Sequence, residues 1–97
     1  MKYTKLPSMP YASAHVTYHD NGDIDLVSYY TRVITVDRDG WMECTGTYSA
    51  TTRKHIGAFI RDIVNPLSGH DLSYYTAKAL YNDGMKMNVH TGEVIPV

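Results

Sequence analysis

The sequence predicts an α+β fold in which an antiparallel sheet is covered on one face by two packed helices. Apolar and polar residues alternate over the first half of the chain, which is the period of a half-buried β-strand. From Thr51 the apolar residues recur at helical spacing, and after Met85 the alternation returns. Strands in a run, followed by helices in a run, are typical of α+β domains.

The first fifty residues predict a three-stranded meander. The first strand begins at Ala14 and ends before Asn21-Gly22, a pair that favours a two-residue hairpin turn. The second is expected to span 24–36, with a bend or bulge near 28–31, because thirteen residues exceed the usual strand length. A turn at Asp37–Gly40, "DRDG", then leads into a third strand, "WMECTGTYS".

The segment after Thr51 predicts an amphipathic helix. Ser49 or Thr51 is expected to cap its first turn with a side-chain oxygen. Asn65-Pro66 is expected to end it, because proline disfavours helical geometry in the preceding residue. The apolar stripe that defines this helix consists of Ile56, Phe59, Ile60, Ile63 and Val64.

The rest of the chain predicts a second helix and a terminal hairpin. The second helix is expected over residues 71–82, capped by Ser68 or Asp71 and closed at Gly84. The alternation after Met85 then predicts a short hairpin that turns around Thr91-Gly92.

Length and composition predict one domain over residues 1–97, with residues 1–12 as an irregular N-terminal lead that Pro7 and Pro10 interrupt. A net charge of −1 provides no overall attraction to nucleic acid or to anionic membrane. The chain has no apolar run long enough to span a membrane. With a single cysteine, Cys44, it can form no intramolecular disulfide, so we expect a reduced, cytoplasmic location.

Catalytic, metal and cofactor motifs are not predicted. The five histidines lack the spacing of a metal-binding helix, and the acidic turns lack the ligand order of a calcium loop. Neither glycine-rich phosphate loops nor nucleophile motifs occur. We therefore expect a non-enzymatic protein with no metal and no cofactor.

Tyrosine and a basic helix start are the features that indicate binding. Nine tyrosines accompany a single Phe and a single Trp, and tyrosine suits half-buried positions and protein interfaces. Cations in the first turn of a helix are unfavourable for its dipole, so a bound anion there would offset the cost. The candidate binding residues are Tyr29, Tyr30, Arg53, Lys54, Arg61, Tyr74, Tyr75 and Tyr81.

Two stretches carry a resemblance to a known group of proteins. "LVSYYTRVITVDRDGWMECT" and "GTYSATTRKHIGAFI" resemble small uncharacterised proteins encoded by bacteriophages of Gram-positive hosts. The resemblance implies no catalytic residues. It implies an accessory protein that acts by protein–protein interaction in the host cytoplasm, inhibiting a host defence system such as a CRISPR effector nuclease, as an anti-CRISPR does.

Two other classes of function stay open at this point. A small nucleic-acid-binding regulator would set Arg53, Lys54, His55 and Arg61 against phosphates, although the near-neutral charge makes this weaker. A homo-oligomeric structural module, such as a homodimer, would use the tyrosines between copies of the chain. Steep salt dependence would distinguish the first class, and light scattering the second.

Overall fold

In a computed structural model, which describes residues 1–46 and 49–97, the chain forms an α+β fold with a seven-stranded antiparallel sheet. The strands lie in the sheet in the order in which they occur in the chain. They are β1 (Lys2–Thr4), β2 (Ala14–Tyr18), β3 (Ile24–Ser28), β4 (Thr31–Val36), β5 (Trp41–Cys44), β6 (Met85–Asn88) and β7 (Val94–Pro96).

The sheet is larger than the predicted three-stranded meander plus hairpin. The segment expected to be one strand over 24–36 is two strands, β3 and β4, which pair through Ser28 and Thr31 across a two-residue turn. A register shift between Leu26 and Val27 introduces a bulge just before the 28–31 stretch where a bend or bulge was expected. The predicted irregular lead over 1–12 is wrong for Lys2–Thr4, which pair with β2.

The third predicted strand is shorter than expected. It ends at Cys44 as β5, and Thr47 and Tyr48 of the predicted strand lie outside the described residues. The predicted hairpins at Asn21-Gly22 and Asp37–Gly40 are confirmed by the pairing of β2 with β3 and of β4 with β5.

The helical segment lies between β5 and β6. Helix α1 (Ala50–Phe59) continues into a π-helical turn (Ile60–Val64) and then into a short α-helical turn, α2 (Asn65–Ser68). The predicted stop at Asn65-Pro66 is wrong, because the wider π turn bonds the Asn65 N–H to the Ile60 carbonyl and places Pro66 at the start of the next turn. Gly69, at φ 75°, ends the helix.

Helix α3 (Tyr74–Asp83) begins three residues later than predicted. Ser73 caps it in a reciprocal capping box with Thr76, and Gly84, at φ 66°, closes it. The Asn65 side chain holds the loop before α3, since it donates to the Leu72 carbonyl and accepts from the Leu72 N–H, each at 2.9 Å.

One face of the sheet forms the hydrophobic core with the helices. Helix α1 contacts β3, and α3 contacts β5 and β6. Alternate residues of the strands contribute to this core, while their neighbours point to the opposite face. The largest fully buried side chains are Phe59, Leu6, Leu26, Ile34, Met42, Ile56 and Ile60.

Candidate functional site: the tyrosine turn and the adjoining groove

The two-residue connection between β3 and β4, Tyr29-Tyr30, is here called the tyrosine turn. Tyr29 has φ 57°, a left-handed conformation that is uncommon for a bulky residue. Positive φ at the first central residue only is the pattern of a type II′ turn, which normally has glycine there. The Tyr30 side chain is fully exposed and that of Tyr29 is half exposed. Both phenol rings are therefore presented at one end of the sheet.

A buried polar cluster lies directly beneath the tyrosine turn. The Ser28 hydroxyl is 2.8 Å from Nδ1 of His55 and 3.0 Å from the Thr52 hydroxyl. All three side chains are buried, so these hydrogen bonds replace the water that the groups would otherwise bind. Because His55 and Thr52 belong to α1, the cluster joins the end of β3 to the first turns of that helix.

Tyr29 is held on this cluster from two sides. Its ring packs against the His55 ring at 5.8 Å between centroids, and its N–H donates to the Ser13 carbonyl at 2.7 Å. Burial lowers the pKa of His55 below its ordinary value, so the ring under Tyr29 is neutral at pH 7. The strained turn is thus fixed by the structure around it and is not a free loop.

Of the three predicted basic contacts, the structure places two, Arg53 and Lys54, at the end of the molecule that carries the tyrosine turn. Both are exposed, and they lie in the stretch of α1 between Thr52 and His55 of the polar cluster. Arg61 is placed elsewhere, in the π turn, where its guanidinium donates to the Ser8 hydroxyl at 2.6 Å. Ser8 in turn bonds the Asp62 carboxylate, so Arg61 helps to hold the β1–β2 loop on the helix.

The remaining predicted tyrosines lie on α3. Tyr75 is exposed, and its ring contacts that of the half-buried Tyr74 at 5.4 Å between centroids. Tyr81 is partly exposed and lines a cavity of about 290 Å³ with Cys44 and Met85. Tyr29 and Tyr30 line a different cavity. The predicted tyrosines therefore fall into two groups, one on the tyrosine turn and one on α3.

Cys44 itself is buried, and its thiol donates to the Gly46 carbonyl at 3.3 Å. Burial raises the pKa of this thiol, which favours the neutral form. Within residues 1–46 and 49–97, no group of three or more His, Cys, Asp or Glu side chains is arranged to hold a metal ion. In the same part of the chain, no helix is long and apolar enough to cross a membrane.

Sequence reasoning missed the residues that adjoin the tyrosine turn. Two open cavities, of about 230 Å³ and about 380 Å³, share Lys5 and His15, and together we call them the Lys5–His15 groove. Lys5 falls within the predicted irregular lead over 1–12, so the sequence did not predict that it lies beside β2. The alternation of Tyr3 and Lys5 beside β2 is the pattern that could have indicated it. The groove is lined by Tyr3, Thr4, Lys5, Ser13, Ala14, His15, Tyr29 and Tyr30.

A second polar group lies on the sheet face opposite the core. The buried carboxylate of Asp25 is 2.7 Å from Nε2 of His19 and accepts from the Thr35 hydroxyl at 2.9 Å. These bonds satisfy both carboxylate oxygens from neighbouring positions of the sheet. The Asp25 carboxylate is therefore already hydrogen-bonded within the fold.

Fold and site together define a small α+β protein that displays two adjacent tyrosines on a strained turn beside an open groove. The chain belongs to a family of unknown function, DUF8033, whose sequence model matches residues 3–75. The match includes β1 to β5, the tyrosine turn, the groove and α1. Neither the curated proteins nor the solved structures include one that matches this chain.

Proposed function

We propose that this protein is a non-enzymatic binding protein that docks on another protein through the tyrosine turn, with Arg53 and Lys54 as charged contacts beside it. The observation that carries the proposal is the conformation of Tyr29. A bulky residue at positive φ costs on the order of 1–3 kcal/mol, and such strain is concentrated at binding and catalytic sites.

The exposure of the turn supports the same proposal. Tyr30 is wholly exposed and makes no contribution to the core, although the ring carries a large apolar surface. A tyrosine loses few rotatable bonds on binding, and the buried cluster under Tyr29 fixes the backbone beforehand. Exposed tyrosines on a backbone held in this way are among the side chains that provide much of the binding energy at protein interfaces.

The resemblance to bacteriophage proteins indicates which partner to test first. We propose a host defence protein, such as a CRISPR effector nuclease, as the partner that the tyrosine turn contacts and inhibits in the host cytoplasm. The two groups of tyrosines make the proposal testable in detail, because only one of them lies on a strained turn.

The experiment is capture from host lysate with the immobilised protein, read by mass spectrometry, using three forms of the protein. We expect the wild type and the matched control Tyr75→Ala to retain the same host partner, and Tyr30→Ala to lose it. Both replaced rings are largely exposed, so neither change alters the core. Loss through Tyr75→Ala with retention by Tyr30→Ala would move the interface to α3 and overturn the proposal.

The salt dependence of the captured complex separates the protein-binding proposal from the nucleic-acid alternative. Binding to phosphates through Arg53 and Lys54 weakens steeply as salt rises, whereas a tyrosine-centred protein contact weakens little. Light scattering of the isolated protein tests the homo-oligomeric alternative, which requires a dimer or larger assembly without any partner.

A further inference from the structure

We infer that the Lys5–His15 groove binds an extended acidic segment of the partner protein, which runs beside the tyrosine turn. This inference rests on the proposed function and deepens it, because it names the chemistry of the segment that the partner contributes. It goes beyond the tyrosine turn and the helix residues, since Tyr3 belongs to β1, His15 to β2, and Lys5 to the start of the loop between them.

The charge of the groove points to an acidic occupant. Lys5 is exposed and lines both cavities, as does the imidazole of His15. Among the described residues that line the groove, none carries a carboxylate. Lys5 has no hydrogen-bond or ion-pair partner within the described part of the chain, so its ammonium group is available to an incoming carboxylate.

The geometry of the groove suits an extended segment. Tyr3 pairs with Thr17 and Thr4 with Val16, and continuing this register places Lys5 opposite His15 on the face of the sheet opposite the core. The Tyr3 ring packs edge-on against the His15 ring at 5.4 Å between centroids, so aromatic surface borders the groove beside Lys5. The two cavities share Lys5 and His15. Together they can accept side chains from one side of an extended chain.

The aromatic residues of the groove indicate that the bound segment also contains apolar side chains. Tyr3 bounds the larger cavity, and Tyr29 and Tyr30 bound the smaller one. Rings of this type favour apolar side chains next to the acidic ones. A segment that carries both acidic and apolar residues among the alternate positions facing the groove therefore matches it better than a uniformly charged one.

The test is fluorescence anisotropy with a fluorescein-labelled peptide that repeats glutamate-serine-valine-serine, so that glutamate and valine share one face when it is extended, and a matched peptide that repeats glutamine-serine-valine-serine. We expect the glutamate peptide alone to bind. Lys5→Glu should weaken its binding about tenfold or more, and Lys5→Gln should weaken it less. Lys78→Glu, which makes the same charge change at an exposed site on α3, should weaken it less than about twofold.

Controls keep the outcomes separate. Circular dichroism should give the same thermal midpoint for the Lys5 variants and the wild type, because Lys5 is exposed. Equal binding of the two peptides, equal effects of Lys5→Glu and Lys78→Glu, or no peptide binding would overturn the inference. Tighter binding of a labelled single-stranded oligothymidylate than of the glutamate peptide would also overturn it, since the ligand would then be a polyphosphate.

Two further results distinguish this inference from the proposed function. If Tyr30→Ala loses the captured partner and Lys5→Glu retains it fully, the inference fails and the proposed function stands. If light scattering shows self-association that Lys5→Glu abolishes, the groove accepts an acidic turn of a second copy of this chain, and the inference also fails.

Discussion

Tyr29 adopts a backbone conformation that is energetically costly, and this cost is what marks the residue as unusual. Its φ of 57° is the one that a type II′ turn reserves for glycine, and its ring nevertheless packs on His55. The strain and the contact oppose each other, and the buried hydrogen bonds of Ser28 retain the conformation. Substitutions at this position therefore act mainly through the backbone.

A β-branched residue at position 29 is expected to destabilise the protein. Tyr29→Val should lower the free energy of unfolding by about 1–2 kcal/mol, because branching at Cβ adds to the cost of positive φ. Tyr30→Val, in the same turn, should change it by less than about 0.5 kcal/mol, since that side chain is exposed. Urea denaturation of both variants measures the difference, and equal effects would argue against strain at Tyr29.

His55 predicts a pH dependence of stability. Burial lowers its pKa from the ordinary value of 6.5, so the unfolded chain takes up this proton more readily than the folded chain. The stability associated with neutral His55 is therefore full above about pH 6.5 and declines as the pH falls below that value.

The measurement is the free energy of unfolding at about pH 7.5 and about pH 5.5, in wild type and His55→Gln. The wild type should lose more stability between these values than the variant, because the glutamine does not titrate. The other histidines are common to both proteins and cancel in the comparison. An identical decline in the two proteins would show that His55 does not set the dependence.

At the scale of elements, the π turn explains the course of the chain between α1 and α3. It moves Pro66 past the point where its ring would clash with the preceding turn, and the helix continues to Ser68. Asn65, at the junction, then bonds the backbone of Leu72 on both sides and closes the loop that leads into α3. A single amide side chain thus holds the loop that precedes α3, whose start is capped by Ser73.

Removal of that side chain tests its role. Asn65→Ala should lower the free energy of unfolding by about 1–3 kcal/mol, because the two backbone groups of Leu72 lose their partners. The Leu72 amide should also exchange its hydrogen faster. Asn82→Ala, at an exposed position of α3, is the matched control and should leave both quantities nearly unchanged.

The elements that sequence reasoning predicted are those with local signals. Asn21-Gly22 and Asp37–Gly40 contain the residues that tight turns require, so both hairpins could be predicted. Tyr29-Tyr30 contains no residue of that kind, so the sequence predicts a bend in one strand at the place where the structure has a turn. The π turn depends on packing rather than on local propensity. Asn65-Pro66 therefore predicts a helix end that the structure does not have.

The candidate site divides in the same way. Composition indicated the tyrosines as binding residues. The exposure of Tyr29 and Tyr30 follows from the turn between β3 and β4, which the sequence did not predict. Lys5 and His15 meet only because a three-residue strand pairs with β2, and so short a strand leaves little periodic pattern.

On the scale of the whole molecule, the meander places the acidic turns after β2 and β4 at the same end of the sheet. The turns after β2 and β4 carry Asp20, Asp23, Asp37 and Asp39, and the Arg38 N–H donates to Asp23 to join them. The tyrosine turn lies at the opposite end, as antiparallel order requires. A chain with a net charge of −1 can therefore still present exposed cations, Lys5, Arg53 and Lys54, at the end that carries the tyrosine turn.

Cooperative unfolding is expected for the molecule as a whole. One hydrophobic cluster contains residues from the sheet and from the helices, so neither layer retains a core alone. Trp41 fluorescence reports on the sheet, and far-ultraviolet circular dichroism on the helices. Both should give the same urea midpoint, with a slope of about 1–2 kcal/mol per molar urea. Separate midpoints would contradict the prediction of a single domain.

Strict sequential order also has a consequence for protein engineering. Because β1 and β7 occupy opposite edges of the sheet, six interstrand spacings separate them, which is about 28 Å. A peptide that joined residue 97 to residue 1 in a circular permutant would need at least about eight residues to cross that width. For the same reason, energy transfer between dyes attached to the two edge strands would report on the width of the sheet.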